Sequence, residues 1–179
     1  SGKQVVKEFN AKYGAQGWKA TLTEFPASAD QQRAQFIQRQ QAKSDDCDVF
    51  SSDVIWTAEF ASQKWLYDLT PYVQAQKSKY IGAPLETVHY ADKYWGVPET
   101  SDAAFIYYRT DKGGGAPPST WQQVYADAAK QGGIVYQGAP YEGLTCDYLE
   151  LAFAAGGSVL SEDGKTAQID SPENVKALQ

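Results

Sequence analysis

Apolar positions along this chain switch between the period of a helix and the period of a strand. Val5, Val6, Phe9 and Tyr13 share one helical face and predict a helix over 2–13. Trp18, Ala20 and Leu22 then interleave with Lys19, Thr21 and Thr23, which is a strand pattern. Ser28 with Gln31 reads as a capping box that opens a helix to about Ala42. A short buried strand is predicted over 47–50 and a helix over 54–64. At Thr70-Pro71 another helix starts, with Thr70 as N-cap and Pro71 pre-set at the first helical position.

Residues 86–97 read as a hairpin, in which Thr87 to Tyr90 turns through Ala91-Asp92-Lys93 into Tyr94 to Val97, and Pro98 stops it. The apolar run 103–108 is predicted as a buried strand. Gly113, Gly114 and Gly115 with Pro117 and Pro118 predict an exposed loop. Thr120 with Gln123 is a second capping box, opening a helix to about Gln131. A strand over 134–137 and a helix over 143–155 follow, the helix stopped by Gly156-Gly157. The turn at Asp163-Gly164 leads to a strand over 166–169, and Ser171-Pro172 starts a last helix.

Alternating helices and strands argue for an α/β fold with parallel sheets flanked by helices. Composition breaks once, between the hairpin and the Gly/Pro loop, and a lobe crossing is expected there. The division is placed at 1–104 for a first lobe, 105–111 for the crossing strand and 112–179 for the start of a second lobe. The chain opens on a helix and ends inside one, so the fold is expected to be incomplete at both ends.

Composition narrows the function. A net charge of −6 with scattered Lys and Arg excludes a phosphate-backbone partner, and nucleic acid with it. No run approaches the roughly 18 apolar residues of a membrane span. Aromatic residues make up 13% of the chain, with twelve Tyr and five Trp. Such rings fill cores, and they also pack against the C–H faces of sugars; composition alone favours the core. The chain has no Met, so Ser1 is not a translation start, and either a leader was removed or the chain is a fragment. Cys47 and Cys146 fit no CxxC spacing and are expected to be buried as small apolar residues, with a disulfide open. His89, the only histidine, is expected on an exposed strand face and makes a poor metal ligand. No metal and no cofactor is expected.

Several phrases stand in a telling order: Val5-Val6-Lys7-Glu8-Phe9-Asn10, Asp48-Val49-Phe50 leading to Asp53-Val54-Ile55-Trp56, and Glu59-Phe60-Ala61 with Trp65-Leu66-Tyr67-Asp68-Leu69. They continue with Tyr94-Trp95-Gly96-Val97-Pro98, Tyr107-Tyr108-Arg109-Thr110-Asp111, Pro118 with Thr120-Trp121, and Tyr141-Glu142-Gly143-Leu144. The ordered set resembles the sugar-binding group of extracellular solute-binding proteins of ABC importers, particularly the trehalose/maltose-binding kind. That resemblance implies a two-lobed periplasmic-binding-protein-like fold of type II, with ligand held between hinged lobes. It also implies a sugar ligand (a disaccharide first), importer membrane subunits as partners, a monomer, and a periplasmic or extracellular location that allows a lipid anchor. The family's opening strand has no counterpart before Ser1, its later aromatics would lie beyond Gln179, and the triple glycine departs from its pattern.

Asp53 lies between a predicted strand and helix, where a carboxylate either caps the helix or accepts sugar hydroxyls. The residues alone weigh these equally, and the resemblance favours the ligand. Trp56 either faces the cleft or packs as core. Asp102 stands at the lobe crossing with Thr100 and Ser101, and for those two ordinary turn chemistry is favoured. By the resemblance Tyr141 and Glu142 face the cleft from the second lobe, although Glu142 also suits a helix's first turn. For Trp95 core packing is favoured, with a cleft-edge role open. The rival class is a carbohydrate-active enzyme. A glycosidase holds two carboxylates at a fixed separation, whereas Asp53 and Glu142 would move with the lobes, which favours binding over cleavage. Neither a Gly-x-Ser-x-Gly elbow nor a P-loop is present.

Overall fold

The computed structural model describes residues 2–112 and 116–179, so the expected triple-glycine loop lies outside the described residues. The chain divides into two units, Ser1–Ala103 and Ala104–Gln179. In the first, helix α1 (Gly2–Tyr13) carries the expected apolar stripe and ends in a 3-10 turn closed by Gly17, whose φ of 88° needs a residue without a Cβ. Asn10 then holds the returning chain, with Nδ2 donating to the Ala20 carbonyl and Oδ1 accepting from its N–H.

Helix α2 (Ala29–Gln41) begins where expected, but Ser28 makes no side-chain cap bond. The capping box does not form. Gln32 instead donates its side-chain N–H to the Pro26 carbonyl and fixes the chain entering the helix. Phe36 of α2, Trp56 and Phe60 form the main core of this unit, enclosed by Phe25, Ala29, Ile37, Phe50, Trp65 and Leu66. Phe60 sits in α3 (Thr57–Ser62) and is fully buried, within 6.1 Å (ring centroids) of Trp56, Phe50 and Trp65. Across the same helix pair Arg33 grips Glu59 with two parallel bonds of 2.9 and 2.5 Å, a half-exposed fork that contributes about 1 kcal/mol or less.

A second core joins Val73 of α4 (Thr70–Gln74), Leu85 of α5 (Gly82–Glu86) and Tyr94 of the hairpin. The hairpin is shorter than expected. Its strands are β1 (His89–Tyr90) and β2 (Lys93–Tyr94), in antiparallel register with His89 opposite Tyr94 and Tyr90 opposite Lys93. Lys93 therefore belongs to the strand, and the turn is the pair Ala91-Asp92 with φ of 49° and 60°. Positive φ at both central residues is the type I′ geometry, whose twist matches that of the flanking strands. His89 is half-buried and packs its ring 4.9 Å from Tyr94. Tyr94, not Trp95, is the buried aromatic here, while Trp95 is half-buried and donates its indole N–H to the Tyr90 carbonyl.

Thr70 does not cap α4. Leu69 holds the N-cap position, the Thr70 hydroxyl accepts the Tyr94 N–H at 3.0 Å, and Asp68 Oδ1 accepts the Thr70 N–H at 3.0 Å. Asp68 is also 2.7 Å from Lys93 Nζ. The Lys93 ammonium, then the Thr70 hydroxyl and N–H, hold the Asp68 carboxyl down at about 2, from an ordinary 3.8. A carboxyl depressed on folding stabilises the fold above its unfolded value and loses that contribution as pH falls through about 2. Asp68→Asn is expected to lower the urea midpoint at neutral pH and to flatten its dependence on acid. Parallel pH profiles for wild type and variant would disprove it.

In the second unit, α6 (Trp121–Gln131) is capped as the sequence predicts, with Thr120 Oγ1 accepting from the Gln123 N–H at 3.2 Å. The Gln123 carbonyl reaches back to the Ser119 N–H rather than that of Thr120. Gly132 ends the helix at φ 93°. Helix α7 (Glu142–Ala154) stops at Gly156, and α8 (Pro172–Leu178) is capped by Ser171 with Pro172 first in the helix. The expected 166–169 strand reduces to a bridge between Leu160 and Ala167 around the Asp163-Gly164 turn.

The other expected strands, 18–23, 47–50, 103–108 and 134–137, pair with nothing among the described residues, whose single ladder is β1–β2. The buried-strand expectation fails outright at Tyr107, 91% exposed, and in the expected strand 134–137 Val135 is 99% exposed. A strand is stable only when its N–H and C=O groups find a ladder partner, and apolar composition cannot supply one. Both cysteines also depart from expectation: Cys47 is half-buried with its thiol toward the Val49 carbonyl, and Cys146 is exposed.

Candidate functional site

Asp53 ends the extended segment that follows α2 and opens a single 3-10 turn, Val54–Trp56. Its backbone is extended (φ −67°, ψ 147°), which aims the side chain along the turn so that Oδ1 accepts the Ile55 N–H at 3.2 Å. The capping role is thus filled by one oxygen. Among the described residues nothing donates to Oδ2, and the residue is half-buried at the surface. One carboxylate can therefore hold the turn and still offer an anionic acceptor outward.

Trp56, three residues on, is only 4% exposed, its ring edge-on to Phe36 and tilted against Phe60. Of the two roles open to it in the sequence, the structure gives it the core. The indole offers no face for stacking on a ligand, because the apolar ring gains more in this aromatic cluster than against water. It instead anchors the turn that carries Asp53.

Asp102 is exposed in the unpaired segment at the end of the first unit, as are Thr100 and Ser101. Near it stands a carboxylate that sequence reasoning passed over. Glu99 accepts the Ser51 hydroxyl at 3.1 Å, tying the segment after the hairpin to the approach of Asp53. Its place directly after Pro98 was the signal available.

In the second unit, Tyr141 and Glu142 stand where α7 begins. Tyr141 is the N-cap residue without a side-chain cap bond, and its phenol donates to Gln137 Oε1. Gln137 in turn gives its N–H to Asp147 Oδ2 at 2.9 Å, one turn further along α7. Glu142 is exposed in the first turn, where the helix dipole favours an acid. Gln137 and Asp147 carried no motif that marked them in advance.

Among the described residues no group of His, Cys, Asp and Glu has the arrangement to hold a metal ion, and no helix is long and apolar enough to cross a membrane.

A family model described as bacterial extracellular solute-binding protein matches residues 2–179. A probable ABC transporter-binding protein of Deinococcus radiodurans is 35% identical, over 94% of this chain and 45% of its own length. Maltose-bound MalE3 of T. maritima superposes with a TM-score of 0.81 at 32% identity, covering 99% of this chain and 47% of that one. An ABC transporter solute-binding protein of Thermotoga lettingae TMO bound with alpha-D-tagatose reaches 0.74 at 24% identity, a likeness of fold alone. The chain spans about half the length of the relatives it matches. Its fold is that of the type II periplasmic solute-binding proteins, and it belongs to the bacterial extracellular solute-binding protein family.

Proposed function

We propose that the protein to which these residues belong is the sugar-capturing component of an ABC importer, working outside the cytoplasm as a monomer. The observation that carries this is the likeness to maltose-bound MalE3 along nearly the whole chain. It binds and releases its ligand unchanged and is no enzyme. Residues 1–104 supply most of one lobe, 105–111 the crossing and 112–179 the start of the other. Asp53 Oδ2, Asp102, Tyr141 and Glu142 meet sugar hydroxyls, and Trp56 holds the Asp53 turn from below. Sugar bridging both lobes stabilises a closed form by contacts that the open form lacks, and the importer's membrane subunits read that closed form.

Isothermal titration of the full-length protein against mono- and disaccharides tests this reading. Micromolar or tighter binding of a sugar is expected; no heat with any sugar overturns the ligand class, and turnover of a glycoside restores the glycosidase reading. Asp53→Asn keeps a capping oxygen and removes the charge, so affinity is expected to fall about 10- to 100-fold with the melting temperature unchanged. A lower melting temperature with intact affinity would leave Asp53 a cap and nothing more.

A further inference from the structure

The four residues Gln137, Tyr141, Gly143 and Asp147 form one arrangement at the start of α7. The Tyr141 O–H donates to Gln137 Oε1, and the Gln137 N–H is held by Asp147 Oδ2 at 2.9 Å. The Tyr141 N–H also donates to the Ala139 carbonyl at 2.8 Å, so both backbone and ring of Tyr141 are fixed. The ring's place depends on what Gly143 lacks. A Cβ there would stand 2.5 Å from Tyr141 Cζ, and closer still to its hydroxyl and to Gln137 Oε1. Gly143 itself is buried. The phenol and the carboxamide thus meet in space that only a glycine leaves open.

This geometry sets hydrogen-bond polarity. With its proton engaged by Gln137, the Tyr141 oxygen is left as an acceptor. The Gln137 Nε2 has two N–H donors with no partner among the described residues. A phenol oxygen that accepts beside a carboxamide that donates complements two neighbouring sugar hydroxyls, one giving its proton and the other receiving one.

Resting on the sugar-binding reading, we infer that Gln137 is a further ligand-contacting residue, that it and Gly143 position Tyr141, and that the trio selects sugars carrying a vicinal diol. Tyr141 accepts from one hydroxyl and Gln137 donates to the next.

Gly143→Ala separates positioning from ordinary packing, because its two effects have opposite sign. Alanine is the better helix former, and the atoms it displaces are the outer ends of two exposed side chains, Tyr141 and Gln137. The melting temperature is therefore expected to hold or rise, while affinity of the full-length protein for its tightest-binding sugar falls about tenfold. Gln137→Ala is expected to weaken binding by a similar factor, and the double variant by no more than either single one, since both act on one arrangement. Gln137→Glu keeps an acceptor for the Tyr141 proton, and should retain the tyrosine's contribution while losing discrimination against the deoxy analogue of the sugar. Wild-type affinity in Gly143→Ala, or losses in affinity that only track losses in melting temperature, overturns the inference. A wild type that binds no sugar removes the sugar reading itself, which is a different result from a binding wild type whose variants match it.

Discussion

Phe60→Ala is expected to cost the first unit about 3–5 kcal/mol, more than any other single truncation in it. Phe60 is fully buried, and its ring is the common partner of Trp56, Phe50 and Trp65. Removing it deletes the apolar area of one large side chain. It also leaves a cavity walled by three aromatic rings, which cannot collapse inward without leaving their rotamers. Phe60→Leu keeps most of the volume and should cost about 1.5 kcal/mol or less. Urea denaturation followed by tryptophan fluorescence reads both, since Trp56 and Trp65 flank the site. A loss below about 1 kcal/mol for the alanine variant would mean that the cluster is not the core of this unit.

The second large effect is expected at Asn174. This side chain is 1% exposed, and its Nδ2 donates to the carbonyls of Ser158 and Gln168, both at 2.7 Å. It ties α8 to both sides of the 161–166 turn. Asn174→Ala strands the Ser158 carbonyl, while that of Gln168 keeps the Ser171 N–H at 3.1 Å, and is expected to cost about 1–3 kcal/mol. Asn174→Asp should cost more at neutral pH, because a carboxylate would then face the same two carbonyls with no proton to give. Gly157 belongs to the same arrangement: a Cβ there would overlap Asn174 Oδ1 and stand 3.1 Å from the Ala152 carbonyl, so Gly157→Ala should destabilise in the same direction. Equal stabilities for the Ala and Asp variants would show that the Ser158 carbonyl does not depend on the amide.

Apart from α5, which no signal marked in advance, the helices were legible in the sequence because their signals are local. Thr120 caps α6 and Gly132 stops it, Gly156 stops α7, and Ser171-Pro172 opens α8, each within a turn of the residue that marks it. Beyond the hairpin and the Leu160–Ala167 bridge the strands were not, because a ladder needs a second segment and periodicity reports only the first. Residues 103–108 and 134–137 have strand composition and no ladder among the described residues. Polar side chains were misread where two local partners competed. The Thr70 hydroxyl suits an N-cap, yet it binds Tyr94 across 24 positions. At Asp53 the sequence held both roles in balance, and the cap turned out to use one oxygen of two. At Trp56 it could not say which way a large ring would turn. Gln137 matters only through Tyr141 and Gly143, and no spacing rule pairs a loop glutamine with a helix's first glycine.

The second core has a kinetic consequence. Val73, Leu85 and Tyr94, with Leu69, Tyr80 and Val88 around them, all fall between Leu69 and Tyr94. The backbone bond from Leu69 to the Tyr94 carbonyl closes that segment on itself at 2.8 Å. Loop-closure entropy grows only with the logarithm of loop length, but every contact here is drawn from one short stretch, and no distant segment has to arrive first. The aromatic core around Phe60, by contrast, must gather residues from Phe25 to Leu66. The 69–94 segment is therefore suited to assemble early, as a seed against which the longer-range aromatic cluster condenses.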